Sequence, residues 1–137
     1  MFRAVLAFLA GFIAFFLTSG IYYGVIMIDA QTELMSAHPE TFYAEPKMAF
    51  AILGNMLWVG LVQYLFRASS ATGVATGAKQ GAITLLLVNG GFNLLLLSGF
   101  KVVPMNFALL DIGVNAIFGA AAGAAIAAVY GRGSAND

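Results

Sequence analysis

The sequence predicts an all-α membrane protein, a bundle of four transmembrane helices that forms a single domain over residues 1–137. Hydrophobic residues make up 61% of the chain and charged residues only 9%, and the mean hydropathy is +0.93. A water-soluble domain of this length has too little polar surface to cover so many apolar side chains. The chain also contains four apolar runs near the roughly 20 residues that cross a bilayer as a helix. The lipid bilayer is therefore its first predicted partner.

The predicted helices cover residues 4–28, 48–66, 80–100 and 105–130. Small residues at Thr18-Ser19-Gly20 in the first run resemble the cleavage region of a signal peptide. The apolar character continues to Ile28, however, so the run is about 25 residues long and favours a retained helix.

The basic residues predict the orientation of the bundle. Four of them lie on one side of the predicted membrane and two lie on the other, namely Arg3, Arg67, Lys79 and Arg132 against Lys47 and Lys101. The positive-inside rule then predicts a multi-pass protein of the inner membrane with both termini in the cytoplasm. The net charge of zero argues against nucleic acid as a partner.

The three predicted loops differ in character. Residues 29–46 contain four carboxylates and the only histidine, His38, and their apolar residues indicate a segment at the membrane interface. A lone histidine in an acidic loop is usually solvated, so no metal site is predicted. Residues 67–79 are rich in Ser, Thr, Gly and Ala, which predicts a flexible linker. Residues 101–104 form a short connection that makes helices three and four antiparallel neighbours.

A weak internal repeat relates two segments of the chain. Residues 48–54 (MAFAILG) resemble residues 105–111 (MNFALLD), and each segment follows shortly after a proline. Each would also begin a helix that runs from the outside to the inside. The match is consistent with two duplicated helical hairpins related by an axis along the membrane normal. Chance similarity between apolar segments is the alternative.

Asp111 is the one acid that the pattern places inside the membrane, on a helix otherwise rich in Gly, Ala and aliphatic residues. A carboxylate at membrane depth costs roughly 2.5 kcal/mol or more unless it is paired, hydrated or protonated. By default, such a residue marks a functional site.

Other polar side chains are predicted at a similar depth: Tyr22, Tyr23, Asn55, Asn89, Asn93 and Asn115. At 1.5 Å per residue, Asn55, Asn93 and Asp111 each lie roughly 9 to 11 Å from the outer helix ends. Asn89 and Asn115 lie one turn deeper on two of the same helix faces. Since hydrocarbon offers these groups no partner, the bundle interior is predicted to bring them together as an intramembrane polar site.

Two interpretations of this polar site stay open at the level of sequence. In the first, Asp111 is protonated or hydrogen-bonded by the tyrosines and asparagines, and the cluster fixes the register of the helices. In the second, Asp111 lines a small cavity open to the outside and binds a cation, a proton or a solute that carries an amine.

Small residues predict the helix-packing surfaces. Gly20 and Gly24 in helix one lie four residues apart, and so do Gly119, Gly123 and Ala127 in helix four. Such spacing allows another backbone to approach closely. The stripe on helix four is longer than a short bundle needs, which favours packing against a protein partner.

Several classes of chemistry are not indicated. The chain has no cysteine, which excludes thiolate ligands and cysteine nucleophiles. Gly90 and Gly91 fall in an apolar helix and not after a strand, so no phosphate-binding loop is predicted. No pairing of a nucleophile with a base, and no pair of carboxylates, occurs at a matched depth. We therefore predict neither an enzyme nor a cofactor.

Four features lie at spaced positions along the chain: Asp29 at the end of helix one, Gly77 with Gly81, an asparagine at Asn89 or Asn93, and Leu110-Asp111-Ile112-Gly113. In this layout the chain resembles small bacterial membrane proteins with four transmembrane helices, known as domains of unknown function. The resemblance implies a four-helix fold and directs attention to Asp111. These families supply no activity.

The predicted function is that of a non-enzymatic scaffold or accessory subunit, which packs in the membrane against itself or against other membrane protein subunits. A short chain with little mass outside the bilayer has few other surfaces through which to act. The alternative is a small transporter or channel that uses the polar site around Asp111.

Overall fold

The computed structural model describes residues 1–131, and its main elements are helical. The first helix continues into a π-helical turn at Tyr22–Ile26, and the five α-helices are α1 (Phe2–Ile21), α2 (Ile28–Ala37), α3 (Met48–Ala68), α4 (Val74–Gly99) and α5 (Met105–Gly131). α1 with its π-helical turn, α3, α4 and α5 are long and apolar enough to span a membrane. The predicted all-α bundle of four transmembrane helices is confirmed.

The helices alternate in direction, which defines two faces of the bundle. α1 and α4 begin at one end of the bundle, where α3 and α5 also end, and we call this end the N-terminal face. α2 lies at the opposite end, which we call the α2 face. α5 packs extensively against α4 and α1, whereas α3 makes far fewer contacts with its neighbours. Most of the core lies toward the N-terminal face and comprises Ala7, Phe15, Val59, Val62, Phe66, Leu85, Phe118, Ala122, Ile126 and Ala127.

The contact between α4 and α5 is made through glycine backbones. A Cβ atom added to Gly81 would overlap the carbonyl oxygen of Gly119, and one added to Gly77 would collide with Gly123 and Ala127. The small-residue stripe that the sequence placed on helix four is therefore covered by α4 within the same chain. The length of this stripe no longer argues for an external partner, because a long helical hairpin uses it.

α4 begins earlier than the sequence predicted. Gly73, with a φ of 86°, precedes the first helical residue, Val74, so residues 74–79 belong to the helix and not to a flexible linker. Gly77 suggested a flexible linker, yet it is a buried helical residue. Its lack of a side chain serves close packing, which the sequence pattern alone did not distinguish from flexibility.

The glycine of α1 that packs against another helix is not one of those predicted. Gly20 and Gly24 have no neighbouring atom of residues 1–131 within 4 Å of an added Cβ. Gly11 is buried instead, against the side chains of Ile126 and Val59. No helix of the described chain therefore packs against Gly20 or Gly24 as predicted. α1 contacts its neighbours mainly through residues that lie nearer the N-terminal face than Gly20.

Hydrogen bonds fasten three helices at the N-terminal face. The Gln63 side chain in α3 donates to the carbonyl oxygen of Ala4 at 2.8 Å and to the hydroxyl of Tyr130 at 3.0 Å. The guanidinium of Arg3 donates to the carbonyl oxygens of Tyr130 and Val129 at the end of α5, at 2.6 and 3.3 Å. A cation at a helix C-terminus satisfies carbonyls that have no partner within the helix.

The segment between α1 and α3 is partly helical. α2 has ten residues, of which all but Ile28 belong to the predicted interfacial loop, and none of them is buried by the described part of the chain. His38 lies 3.5 Å from the carboxylate of Glu40. Arg132, which contributed to the predicted orientation, lies outside the described residues.

Candidate functional site

The predicted polar site forms around Asp111, on the second turn of α5. The π-helical turn after α1 carries Tyr23, whose hydroxyl donates a hydrogen bond to the Oδ1 atom of Asp111. From α4, the Nδ2 atoms of Asn89 and Asn93 donate to the Oδ2 atom of Asp111, at 2.8 and 2.9 Å. Three neutral donors from two helices thus surround one carboxylate of a third.

A second set of hydrogen bonds supports these donors. The spacing of four residues places Asn93 one turn above Asn89, and its Nδ2 atom also donates to the carbonyl oxygen and to the Oδ1 atom of Asn89, both at 3.1 Å. Asn115, one turn from Asp111, donates to the Asp111 carbonyl oxygen at 2.8 Å and to the Tyr23 hydroxyl at 3.2 Å. The network is therefore directed toward Asp111, as expected for an acceptor that needs several partners in a medium without water.

The network joins α1, α4 and α5 but supplies no positive charge. Over residues 1–131 Asp111 forms no ion pair, and the ion pair present is that of His38 with Glu40. No three side chains among the histidines, aspartates and glutamates of this range converge on a metal site. The hydrogen bonds satisfy the oxygens of Asp111, whereas the negative charge of an ionised carboxylate would still attract a cation.

A cavity of about 170 Å³ lies beside the carboxylate. Its polar lining residues are Tyr22, Tyr23, Gln31, Asn93 and Asp111, and its apolar ones are Met27, Leu34, Val103, Phe107 and Ala108. Gln31 and Leu34 come from α2, so this helix forms part of the cavity wall. The volume has room for about five water molecules or for one small solute.

Aromatic packing positions both tyrosines. The ring of Phe118 on α5 lies 5.9 Å from that of Tyr22 and 5.8 Å from that of Tyr23, in edge-to-face geometry. The two tyrosine rings are themselves 5.0 Å apart. Phe118 is 3% exposed, so it serves as the buried support on which the Tyr23 hydroxyl is held toward Asp111.

The structure brings most of the predicted site residues together. Tyr23, Asn89, Asn93, Asp111 and Asn115 form the hydrogen-bond network. Tyr22 lines the cavity without joining that network. Asn115 is buried, and its Oδ1 atom has no hydrogen-bond partner in the described chain.

Asn55 is the predicted site residue that lies apart. Its side chain is partly exposed and forms no hydrogen bond with any residue of the range 1–131. Asn55 lies on the same stripe of α3 as the buried residues Val59, Val62 and Phe66. No side chain of residues 48–57 is buried, however, so this half of α3 does not pack against the bundle and Asn55 lies apart from the Asp111 network.

Two contributors to the site were not predicted from the sequence. Gln31 belongs to the segment beyond the predicted span, and nothing in the sequence indicated that a short helix there would line the cavity beside Asp111. Phe118 is one of twelve phenylalanines, and its support of the tyrosines depends on contacts between distant parts of the chain. The position of Phe118 one helical turn from Asn115, on the face that carries Asp111, was the available clue.

No family model matches this chain, and the curated proteins and solved structures compared with it contain no significant match.

Proposed function

We propose that the protein is a non-enzymatic subunit of a membrane assembly, and that it contacts a neighbouring subunit through the half of α3 nearest the α2 face. Asn55 carries this proposal. Its amide has no hydrogen bond with the described residues and is partly exposed at membrane depth, and unlike Tyr22 it does not line the cavity beside Asp111.

The packing of α3 supports the proposal. Its buried residues are Val59, Val62, Gln63 and Phe66, and all of them lie toward the N-terminal face. Among the described contacts of residues 48–57, none buries a side chain. The half of α3 nearest the N-terminal face therefore packs in the core and is bound through Gln63. Residues 48–57, in the other half, are available to contact lipid or another protein.

Lipid is a poor environment for the Asn55 amide. Hydrocarbon offers no hydrogen bond, so a polar side chain on a membrane helix tends to find a partner on another helix. An asparagine amide both donates and accepts, and it can pair with an asparagine of a second copy or with a polar residue of a different subunit.

The basic residues support the proposal that the termini lie in the cytoplasm, on the inner side of an inner membrane. Three of the four that predicted this orientation lie within residues 1–131 at the N-terminal face, namely Arg3, Arg67 and Lys79.

Replacement of Asn55 with leucine tests this assignment. We expect the wild-type protein, extracted in mild detergent, to appear in native mass spectrometry as a complex larger than the monomer. Asn55→Leu should dissociate this complex, because a leucine removes the interhelical hydrogen bond while it preserves helix propensity. Asn106→Leu is the matched control, since Asn106 is exposed in the first turn of α5. A wild-type protein found as monomer alone would contradict the proposal.

A second candidate function is the binding and passage of a small cationic solute or a proton at Asp111. The observation that favours it is the cavity beside a carboxylate that has three hydrogen-bond donors and no ion pair in the described chain. Tyr22 and Gln31 add polar groups to the cavity wall, which would orient a bound amine. A small transporter or channel would use such a site.

The variant Asp111→Asn separates the two functions. An amide retains much of the shape and an acceptor oxygen but lacks the charge. If Asp111 binds a cation, the variant reconstituted in liposomes should lose proton or monovalent-cation flux at least tenfold while its assembly state in native mass spectrometry stays unchanged. Gln31→Ala is the control for the cavity wall and should alter flux less. Equal flux in the wild type and in Asp111→Asn would remove this candidate.

A further inference from the structure

A groove of about 670 Å³ runs between α3 and α4, away from Asp111 and from Asn55. Leu65 on α3 and Ile83 and Leu87 on α4 contribute to its apolar part. Leu87 is 68% exposed and Ile83 is 46% exposed, so this part of the groove opens toward the hydrocarbon of the bilayer. An acyl chain is the group that the bilayer itself offers to such a surface.

The groove ends in polar residues at the N-terminal face. Ser69, Lys79 and Gln80 line this end, and the Ser69 hydroxyl donates to the Oε1 atom of Gln80 at 3.2 Å. That bond fixes the end of α3 beside the first turns of α4. Lys79 precedes Leu87 by eight residues, so the groove extends about 12 Å along α4 from the ammonium-bearing position into the membrane.

Over residues 1–131, the charged side chains at this end are all basic. The N-terminal face carries Arg3, Arg67 and Lys79, and the described chain has no carboxylate between Glu45 and Asp111. Lys79 forms no ion pair within residues 1–131. A long lysine side chain can extend from a helix to the level of the headgroups while its methylenes cover apolar surface. Cationic pockets between helices are known to bind anionic lipid headgroups.

We propose that this groove is a binding site for an anionic phospholipid, with an acyl chain along Leu65, Ile83 and Leu87 and the phosphate on Lys79. The side-chain amide of Gln80 supplies a further donor near the headgroup. The site lies on a different surface from Asn55 and from Asp111, so it stands independently of the proposed function.

Native mass spectrometry of the full chain with two lipids provides the test. The protein is mixed with phosphatidylglycerol and phosphatidylcholine that carry the same acyl chains, and the retained lipid is quantified. We expect retention of phosphatidylglycerol over phosphatidylcholine. Lys79→Gln should lower that preference about fivefold, in line with roughly 1 kcal/mol for one basic residue near an anionic headgroup. Arg67→Gln is the matched control, because Arg67 lies at the same face but lines a different groove.

A second variant tests the groove itself. Ile83→Trp places a large ring in the apolar part at a position facing lipid, so it should reduce retention of both lipids without changing helix content in circular dichroism. Equal retention of the two lipids by the wild type would overturn the proposal. So would equal losses in Lys79→Gln and Arg67→Gln, which would indicate general charge attraction. A dimer that Ile83→Trp dissociates, with unchanged lipid retention, would assign the groove to a second copy instead.

Discussion

Gly81→Ala is expected to destabilise the protein by about 3 kcal/mol. The added Cβ would overlap the carbonyl oxygen of Gly119, and a backbone atom on a packed helix cannot move aside as the end of a flexible side chain can. Overpacking usually costs about 1 to 3 kcal/mol, and a collision with backbone belongs at the upper end of this range. Circular dichroism during unfolding by sodium dodecyl sulfate measures the change.

Gly91→Ala in the same helix is the control for this prediction. No atom of another described helix lies within 4 Å of a Cβ added at Gly91. Gly91→Ala should therefore alter the free energy of unfolding only through helix propensity, by less than about 1 kcal/mol. Equal effects of the two substitutions would show that α4 and α5 are not in backbone contact. The displacement caused by Gly81→Ala should also loosen the network around Asp111, since Asn89 lies two turns further along α4.

Phe118→Ala is expected to cost about 2 kcal/mol and to release Tyr23 from Asp111. The Phe118 side chain is buried and contacts the rings of Phe15, Tyr22 and Tyr23. In water-soluble proteins, a buried Phe→Ala change costs about 3 to 5 kcal/mol, part of which is the transfer of apolar surface from water. Lipid is as apolar as the protein interior, so mainly the lost packing contacts remain in a membrane.

Ile117→Ala is the neighbouring control. Ile117 is 63% exposed and faces lipid, so its truncation should change stability by less than about 0.5 kcal/mol. The same detergent unfolding measures both variants. A Phe118→Ala protein as stable as Ile117→Ala would contradict the supporting role that we assign to this ring.

The sequence predicted the helices well because their signal is local. Runs of apolar residues near 20 residues in length define spans regardless of how the spans pack. The start of α4 was predicted wrongly because Gly77 has the same appearance in a linker and in a close helix contact. Similarly, Gly20 and Gly24 have the spacing of a packing surface, but only the relative placement of whole helices determines which glycines meet a neighbour.

The polar site was likewise predictable only where local features determine the packing. Asn93 and Asp111 lie at equal depth, and the short connection between their two helices makes these helices neighbours. Asn55 had the right depth and lies on the same helix face as Val59, Val62 and Phe66, but α3 packs against the bundle only in its half nearest the N-terminal face, which no local pattern indicates. Whether the bundle duplicates a hairpin stays a prediction, although the extensive contact of α4 with α5 has no counterpart of similar size between α1 and α3.

The hydrogen bond between Tyr23 and Asp111 spans 88 positions in the chain, which has a consequence for biosynthesis. Ribosomes add about 5 to 20 residues per second, so α1 exists for roughly ten seconds before the residue that satisfies its tyrosine has been made. During this interval, the Tyr23 hydroxyl lacks the carboxylate that accepts its hydrogen bond. The polar network can therefore form only after α5, the last helix, has been synthesised.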